Sequence, residues 1–227
     1  DKAKGEALDL RHGNLFTPYT KVTYGSSYKL CKNADIIVVT AGAHQKPGET
    51  RLDLTKKNAG ILKNIISSIE EYNNDAIILL VSNPLDGLVY VAQKWSKFPK
   101  KRVFGTGTTL DTARFRQNLG EYYDINPNSV HAYVLGEHGD SEFPVWSSAN
   151  IAGIALTDFK KYDKQKLNKI FDKTKNAAYE IINTKGSTYY AIGLVVKDII
   201  RAILMDQNKV YPVSTYLDGY YGVKDVC

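Results

Sequence analysis

Apolar residues in this chain recur with two periods, and the alternation between them predicts the fold. Short runs with little polar interruption read as strands buried on both faces: Asp35 to Thr40, Ala76 to Val81 and Val103-Phe104. Between them the spacing turns helical. Over Arg51 to Tyr72, the positions Leu54, Asn58, Ile61, Leu62, Ile65, Ile66 and Ile69 form one stripe. Leu85 to Trp95 is helical too, and a further helix starts near Asp111 after Gly105-Thr106-Gly107. A strand–helix rhythm with uniformly apolar strands predicts an α/β chain whose parallel sheet is covered on both faces.

The pattern changes near residue 125. Ser129 to Leu135 reads as a strand, Gly136 to Asp140 as a loop, and Leu167 to Ile182 and Thr188 to Met205 as long amphipathic helices. Val210 to Leu217 is expected to be a strand, followed by an Asp218-Gly219 turn that opens a hairpin. A soft boundary at 125–130 divides residues 1–127 from 128–227. No internal repeat is found.

Composition narrows the classes. The 227 residues are 43% hydrophobic and 11% aromatic, enough to bury a core and to argue against disorder. The longest apolar run, Ala76 to Val81, is far short of the roughly 20 residues of a membrane span. Cys31 and Cys227 lie far apart, outside any C-x-x-C pattern, so a disulfide scaffold is not expected and a reducing, cytoplasmic setting fits. Nothing at Asp1 to Gly5 reads as a signal peptide, and the chain opens without methionine. The net charge is +6, but the lysines are scattered in pairs such as Lys56-Lys57 and Lys100-Lys101. Scattered charge reads as solvated surface rather than a nucleic-acid patch. Arginine is scarce, and its planar fork suits carboxylate or phosphate, so each one bears inspection.

In an open parallel sheet, ligands bind beyond the carboxyl ends of the strands. Just past those ends lie Gly42 to Arg51, Ser82-Asn83-Pro84, Gly105 to Asp111 and the loop Gly136-Glu137-His138-Gly139-Asp140. They could orient and protonate a small anion. Taken singly, each residue also has a plain reading. His138 fits a solvated turn, Asp111 and Arg114 (i, i+3) fit a surface ion pair, Arg51 fits a loop tip, and Asn83 fits an Asn-Pro turn. A metal is not expected, because His131 and His138 lack acidic or thiol partners at ligand spacing. No G-x-S-x-G elbow supports a hydrolase.

The order of the pieces is more specific. The segments Thr40-Ala41-Gly42-Ala43-His44-Gln45-Lys46-Pro47-Gly48-Glu49-Thr50-Arg51, Val81-Ser82-Asn83-Pro84-Leu85-Asp86, Gly105-Thr106-Gly107-Thr108-Thr109-Leu110-Asp111-Thr112-Ala113-Arg114, Leu135-Gly136-Glu137-His138-Gly139-Asp140 and Lys185-Gly186-Ser187-Thr188 follow one another in one register. Together they resemble the L-lactate dehydrogenases over essentially the whole chain. The resemblance implies a Rossmann-type sheet followed by an α+β substrate domain. It also implies hydride transfer between NAD(H) and pyruvate or lactate, an activity of glycolysis and fermentation.

It implies roles as well. His138 would donate and accept the proton, Asp111 would hold the imidazole, and Arg114 would grip the substrate carboxylate. Arg51 would polarise the carbonyl as its loop closes, Asn83 would orient carbonyl and cofactor, and Thr188 would line the pocket. Gln45 would face the substrate's methyl end, where the related malate dehydrogenases carry an arginine for a second carboxylate. That difference favours lactate over malate. Gly42, Ala43, Val81, Asn83, Thr106 and Ile192 would meet the nicotinamide half of the dinucleotide, and Lys2, Tyr28 and Asn64 its outer parts. Arg116 and His131 match a fructose 1,6-bisphosphate pair at a subunit interface, alternatively used only for packing in a homotetramer. Such an effector would make the enzyme allosteric.

The chain departs from the pattern in one respect. It has no G-x-G-x-x-G turn, and no acidic residue for the adenine ribose. The expectation is an internal piece of a longer dehydrogenase, lacking its first strands and a closing C-terminal segment. A piece that is non-catalytic as it stands is the alternative.

Overall fold

The computed structural model describes residues 2–43, 48 and 50–227. It opens with α1 (Lys2–His12), an element the apolar pattern does not signal, because Ala7 is its one buried side chain. Three strands form a parallel sheet in the order β1 (Ile36–Val39), β2 (Ile77–Leu80), β3 (Val103–Gly105). Ile36 lies opposite Ile77, and Ile78 opposite Val103.

Alternate residues of these strands face opposite ways. Val39, Ile78, Leu80 and Val103 pack with α2 (Arg51–Glu70) and α3 (Leu85–Trp95) through Leu62, Ile66, Ile69, Leu88 and Val89. Val38, Leu79 and Phe104 instead meet Val195 and Ile199 of α6 (Tyr190–Leu204). Both faces of the sheet are thus covered, as the uniformly apolar strands require.

A second core forms around α4 (Thr109–Tyr123) and α5 (Lys164–Lys185). Phe115, Leu119 and Tyr123 of α4 pack with Val130, Val134, Ile151, Leu167 and Phe171. Phe115 meets the Trp146 and Phe171 rings edge-on, with centroids 5.1 and 5.8 Å away, an arrangement that aligns positive ring edges with negative faces. Short antiparallel pairs close this core: β4 (Val130–His131) with β7 (Asn150–Ile151), β5 (Val134–Leu135) with β6 (Phe143–Pro144), and β7 with β8 (Ile154–Ala155).

Two expected strands need correction. Ser129 to Leu135 is not one strand but two short ones with different partners. The break comes where the Thr112 hydroxyl accepts from the Val134 N–H (3.0 Å) and the Thr108 hydroxyl donates to the Val134 carbonyl (2.6 Å), so helix side chains take the backbone groups a ladder would use. Val210 to Leu217 is a strap, not a strand. Among the described residues it pairs with the sheet edge at one bridge, where Ser214 and Gly105 exchange backbone hydrogen bonds at 2.8 and 3.1 Å. Pro212 has no N–H to give, and its carbonyl accepts from Thr108 N–H at 3.0 Å. Gly107 makes this approach feasible: its φ is +54°, and a Cβ there would collide with the Pro212 carbonyl. The expected hairpin forms between β9 (Leu217–Asp218) and β10 (Lys224–Val226), with Gly219 at φ +90°.

Candidate active site

The β3–α4 turn places Asp111 in the first turn of α4, where the helix N-terminus favours negative charge. Its two carboxylate oxygens are divided between two partners. Oδ2 lies 2.6 Å from Nδ1 of His138, and Oδ1 accepts from Nη1 of Arg114 at 3.0 Å. The Asp111 and Arg114 side chains are 4% and 12% exposed, so the plain reading as a surface ion pair does not hold. Nη2 of Arg114 is buried with no partner among the described residues. A buried guanidinium N–H without an acceptor is costly, and it is what a carboxylate ligand would satisfy.

The His138 loop is anchored to the sheet side of the molecule. The His138 backbone N–H donates to Oδ2 of Asp86 at 2.8 Å, and the Ser214 hydroxyl donates to the other Asp86 oxygen. Asp86 thus joins the start of α3, the His138 loop and the 210–216 strap. Sequence reasoning missed it, because a carboxylate in a first helical turn reads as a dipole partner. It also missed Glu142, which is 5% exposed. The side-chain ligand atoms of Asp111, His138 and Glu142 lie within 4.8 Å of one another. Spatially, His138 therefore does have acidic neighbours, contrary to the spacing argument. Arg114 already supplies positive charge to that cluster.

The electrostatics follow from this crowding. Burial alone raises the Asp111 carboxyl, but the hydrogen bonds and charges of His138 and Arg114 outweigh it and hold Asp111 below the usual range. Burial alone lowers the His138 imidazole, but the Asp111 hydrogen bond and charge, with Glu142 and Asp86, hold it above the ordinary histidine value. Burial pushes Glu142 up to about 7, with the nearby Asp111 charge adding to it.

At the other strand ends the structure brings together Gly42, Ala43, Val81, Asn83 and Thr106. The buried Asn58 of α2 ties Ala43 to Asn83: Oδ1 accepts from the Ala43 N–H at 2.7 Å, and Nδ2 donates to the Asn83 carbonyl at 2.7 Å. The Ser82 hydroxyl donates to the Ala41 carbonyl at 2.6 Å, and the Thr106 N–H to the Leu80 carbonyl at 3.0 Å. In the sequence Asn58 is a position in a helical stripe, and its one signal is a polar residue among apolar ones. The Asn83–Pro84 peptide is cis.

Ile192 lies on α6, packed against the sheet-side cluster, and Thr188 is half-buried between α5 and α6. Gln45 lies outside the described residues. Arg51 is the first residue of α2, whose start is fixed by a capping box between Thr50 and Asp53; its side chain is likewise not described. Lys2, Tyr28 and Asn64 stand on exposed surfaces, and among the described residues no hydrogen bond joins them to the strand ends. Arg116 is half-buried, its Nη2 donating to the carbonyls of Pro127 and Asn128 at 3.3 and 3.2 Å, while His131 is exposed on β4. Among the described residues no helix is long and apolar enough to cross a membrane.

Known proteins resemble this chain in sequence and fold. Residues 1–105 match the lactate/malate dehydrogenase NAD binding domain, and residues 108–227 the lactate/malate dehydrogenase alpha/beta C-terminal domain. L-lactate dehydrogenase 1 of Clostridium acetobutylicum is 51% identical over all of this chain and 74% of the relative. The L-lactate dehydrogenase of Acetivibrio thermocellus is 50% identical over all of this chain and 73% of the relative. The crystal structure of the minor L-lactate dehydrogenase from Enterococcus mundtii, in a ligands-bound form, superposes with a TM-score of 0.93 at 43% identity, covering 98% of this chain and 72% of that one. A lactate dehydrogenase from a Medee basin deep-sea metagenome library gives 0.94 at 43% identity, covering 99% of this chain and 73% of that one. With both halves of its sequence and its fold matched in register, the chain belongs to the lactate/malate dehydrogenase family.

Proposed function

We propose that this chain carries the pyruvate/L-lactate oxidoreductase site of an NAD-dependent L-lactate dehydrogenase. The observation that carries this reading is the shared Asp111: one oxygen holds His138, and the other holds an arginine whose second nitrogen is buried and unpaired. With Nδ1–H donated to Asp111, Nε2 of His138 is the atom that gives a proton to, or takes one from, the substrate oxygen. Asp111 fixes that tautomer and stabilises the imidazolium. Arg114 binds the substrate carboxylate, Asn83 and Arg51 act on its carbonyl, Thr188 lines the pocket, and Gln45 accommodates the methyl end.

The strand-end residues suit the nicotinamide half of the dinucleotide. The support is that Gly42, Ala43 and Asn83 lie together at the strand ends around the buried Asn58. Gly42, Ala43, Val81, Asn83, Thr106 and Ile192 would hold that half, and Lys2, Tyr28 and Asn64 the outer parts. NAD(H), when bound, supplies or takes up the hydride. NADH oxidation measured with pyruvate and with oxaloacetate tests the reading; pyruvate is expected to be preferred, and preference for oxaloacetate would reject the role of Gln45.

A homotetrameric, cytoplasmic enzyme with a fructose 1,6-bisphosphate site at Arg116 and His131 extends the proposal. The support for that site is that Arg116 holds the 127–128 segment that leads into β4, the strand that bears the exposed His131. Substrate affinity unchanged by the bisphosphate, both in the unmodified protein and in Arg116→Gln, would reject it.

A further inference from the structure

We propose that Glu142 is the third member of the His138–Asp111 cluster, a buried positioning residue whose carboxylate favours the protonated form of His138. The inference rests on the reading of His138 as proton carrier and adds a residue to it. Glu142 lies four positions after His138 on the same loop, is 5% exposed, and brings its carboxyl within 4.8 Å of the reactive atoms of both Asp111 and His138. Its Oε1 is buried without a hydrogen-bond partner among the described residues. A purely structural buried carboxyl would be expected to spend both oxygens on donors.

Charge counting shows what the residue does. The groups facing His138 are Asp111 from α4 with Arg114 behind it, Asp86 from α3, and Glu142 from its own loop. Glu137 and Asp140 of that loop are exposed. Glu137 accepts from Ser141, while Lys175 and Tyr179 of α5 reach Asp140 rather than His138. With Asp111, Glu142 and Asp86 ionised and Arg114 the one cation, the groups facing His138 carry two negative charges in excess, and protonating His138 reduces the excess to one. With Glu142 neutral, the excess that draws a proton to His138 is only one. Low-dielectric surroundings penalise the larger excess more. The Glu142 carboxylate therefore favours imidazolium. When His138 gives its proton to substrate, Glu142 can take one from solvent and hold the excess at one. Both protonation states of His138 are then tolerated in a buried site.

The test reads the groups themselves, independently of turnover. Imidazole NMR titration of the whole chain follows His138, assigned by loss of its signal in His138→Gln, with the exposed His131 as internal control. Glu142→Gln removes the charge but keeps the shape. It should lower the His138 midpoint by about one unit, the lower end of the 1–3 units produced by a close opposite charge, because Glu142 is only partly ionised near neutrality. That is about a tenfold loss of the protonated form above the midpoint. Glu142→Asp, which retains the charge, should restore most of it.

Carboxyl NMR titration of the unmodified protein gives a second reading that needs no variant. The Glu142 midpoint is expected near 7 and should move in step with His138. A His138 midpoint that stays the same in Glu142→Gln, or a Glu142 midpoint at the ordinary value of about 4.3, overturns the proposal. A protein that shows the coupling but does not reduce pyruvate would sink the proposed activity and leave the coupling standing.

Discussion

The two sides of the candidate site are built differently. On the α4 side, Asp111 and Arg114 sit on a helix whose next turns are pinned by Phe115 and Leu119, both 0% exposed, in the second core. On the sheet side, Thr40, Ala41, Gly42 and Asn83 are exposed, and the one buried side chain joining Ala43 to Asn83 is Asn58 among the described residues. Asp111 and Arg114 thus ride on rigid packing, while Gly42 and Asn83, proposed to meet the cofactor, sit at solvent-facing strand ends. The division has a physical reason. Proton transfer fails if a heavy atom moves by a fraction of an ångström, whereas ligands must enter and leave across the other side.

The sharpest way to break this comparison is at His138. His138→Gln is expected to reduce kcat by about 10²–10⁴-fold, the usual contribution of a positioned general acid–base. Retention of more than a tenth of the rate in a steady-state assay would remove His138 from the chemistry. Next comes the support beneath the rigid side. Phe115→Ala should lower stability by about 3–5 kcal/mol in denaturant unfolding, because it opens a cavity between the Trp146 and Phe171 rings. A loss under 1 kcal/mol would show that α4 is not held by this core.

Arg114→Lys keeps the charge but loses the fork. It should raise KM for pyruvate by about ten- to a hundredfold, the worth of a charge-assisted hydrogen bond. An unchanged KM would place carboxylate binding elsewhere. On the sheet side, Asn58→Ala should cost about 1–3 kcal/mol, because the Ala43 N–H and Asn83 carbonyl lose their partner. A neutral result would mean that water replaces the amide freely and that the strand ends need no tie.

Much of this architecture is legible in the sequence, and the exceptions share a cause. The runs around Ile36–Val39 and Ile77–Leu80 become strands as expected, and Leu85 to Trp95 is a helix to the residue. Local pattern suffices there because burial alone dictates the element. It fails where a backbone group is captured by a distant side chain, as Val134 is by Thr108 and Thr112, or where proline interrupts a run, as at Pro212. His138, Asp111 and Arg114 are found through motif order, and the structure brings them into one cluster. Asn58 shows only as a polar residue on an apolar stripe, Asp86 only as the end of a motif and Glu142 not at all, since their roles arise when α2, α3, α4 and the 136–142 loop converge.

The pH dependence of kcat/KM in the two directions tests the proton-carrier role most directly. Pyruvate reduction needs His138 protonated, and lactate oxidation needs it neutral. Because the imidazole is held above its ordinary value of about 6.5, pyruvate reduction should fall as pH rises through a midpoint above 6.5. Lactate oxidation should rise through a matching midpoint, also above 6.5. Profiles that are flat across that range, or that slope the same way in both directions, would contradict the role of His138 as the group that carries the proton.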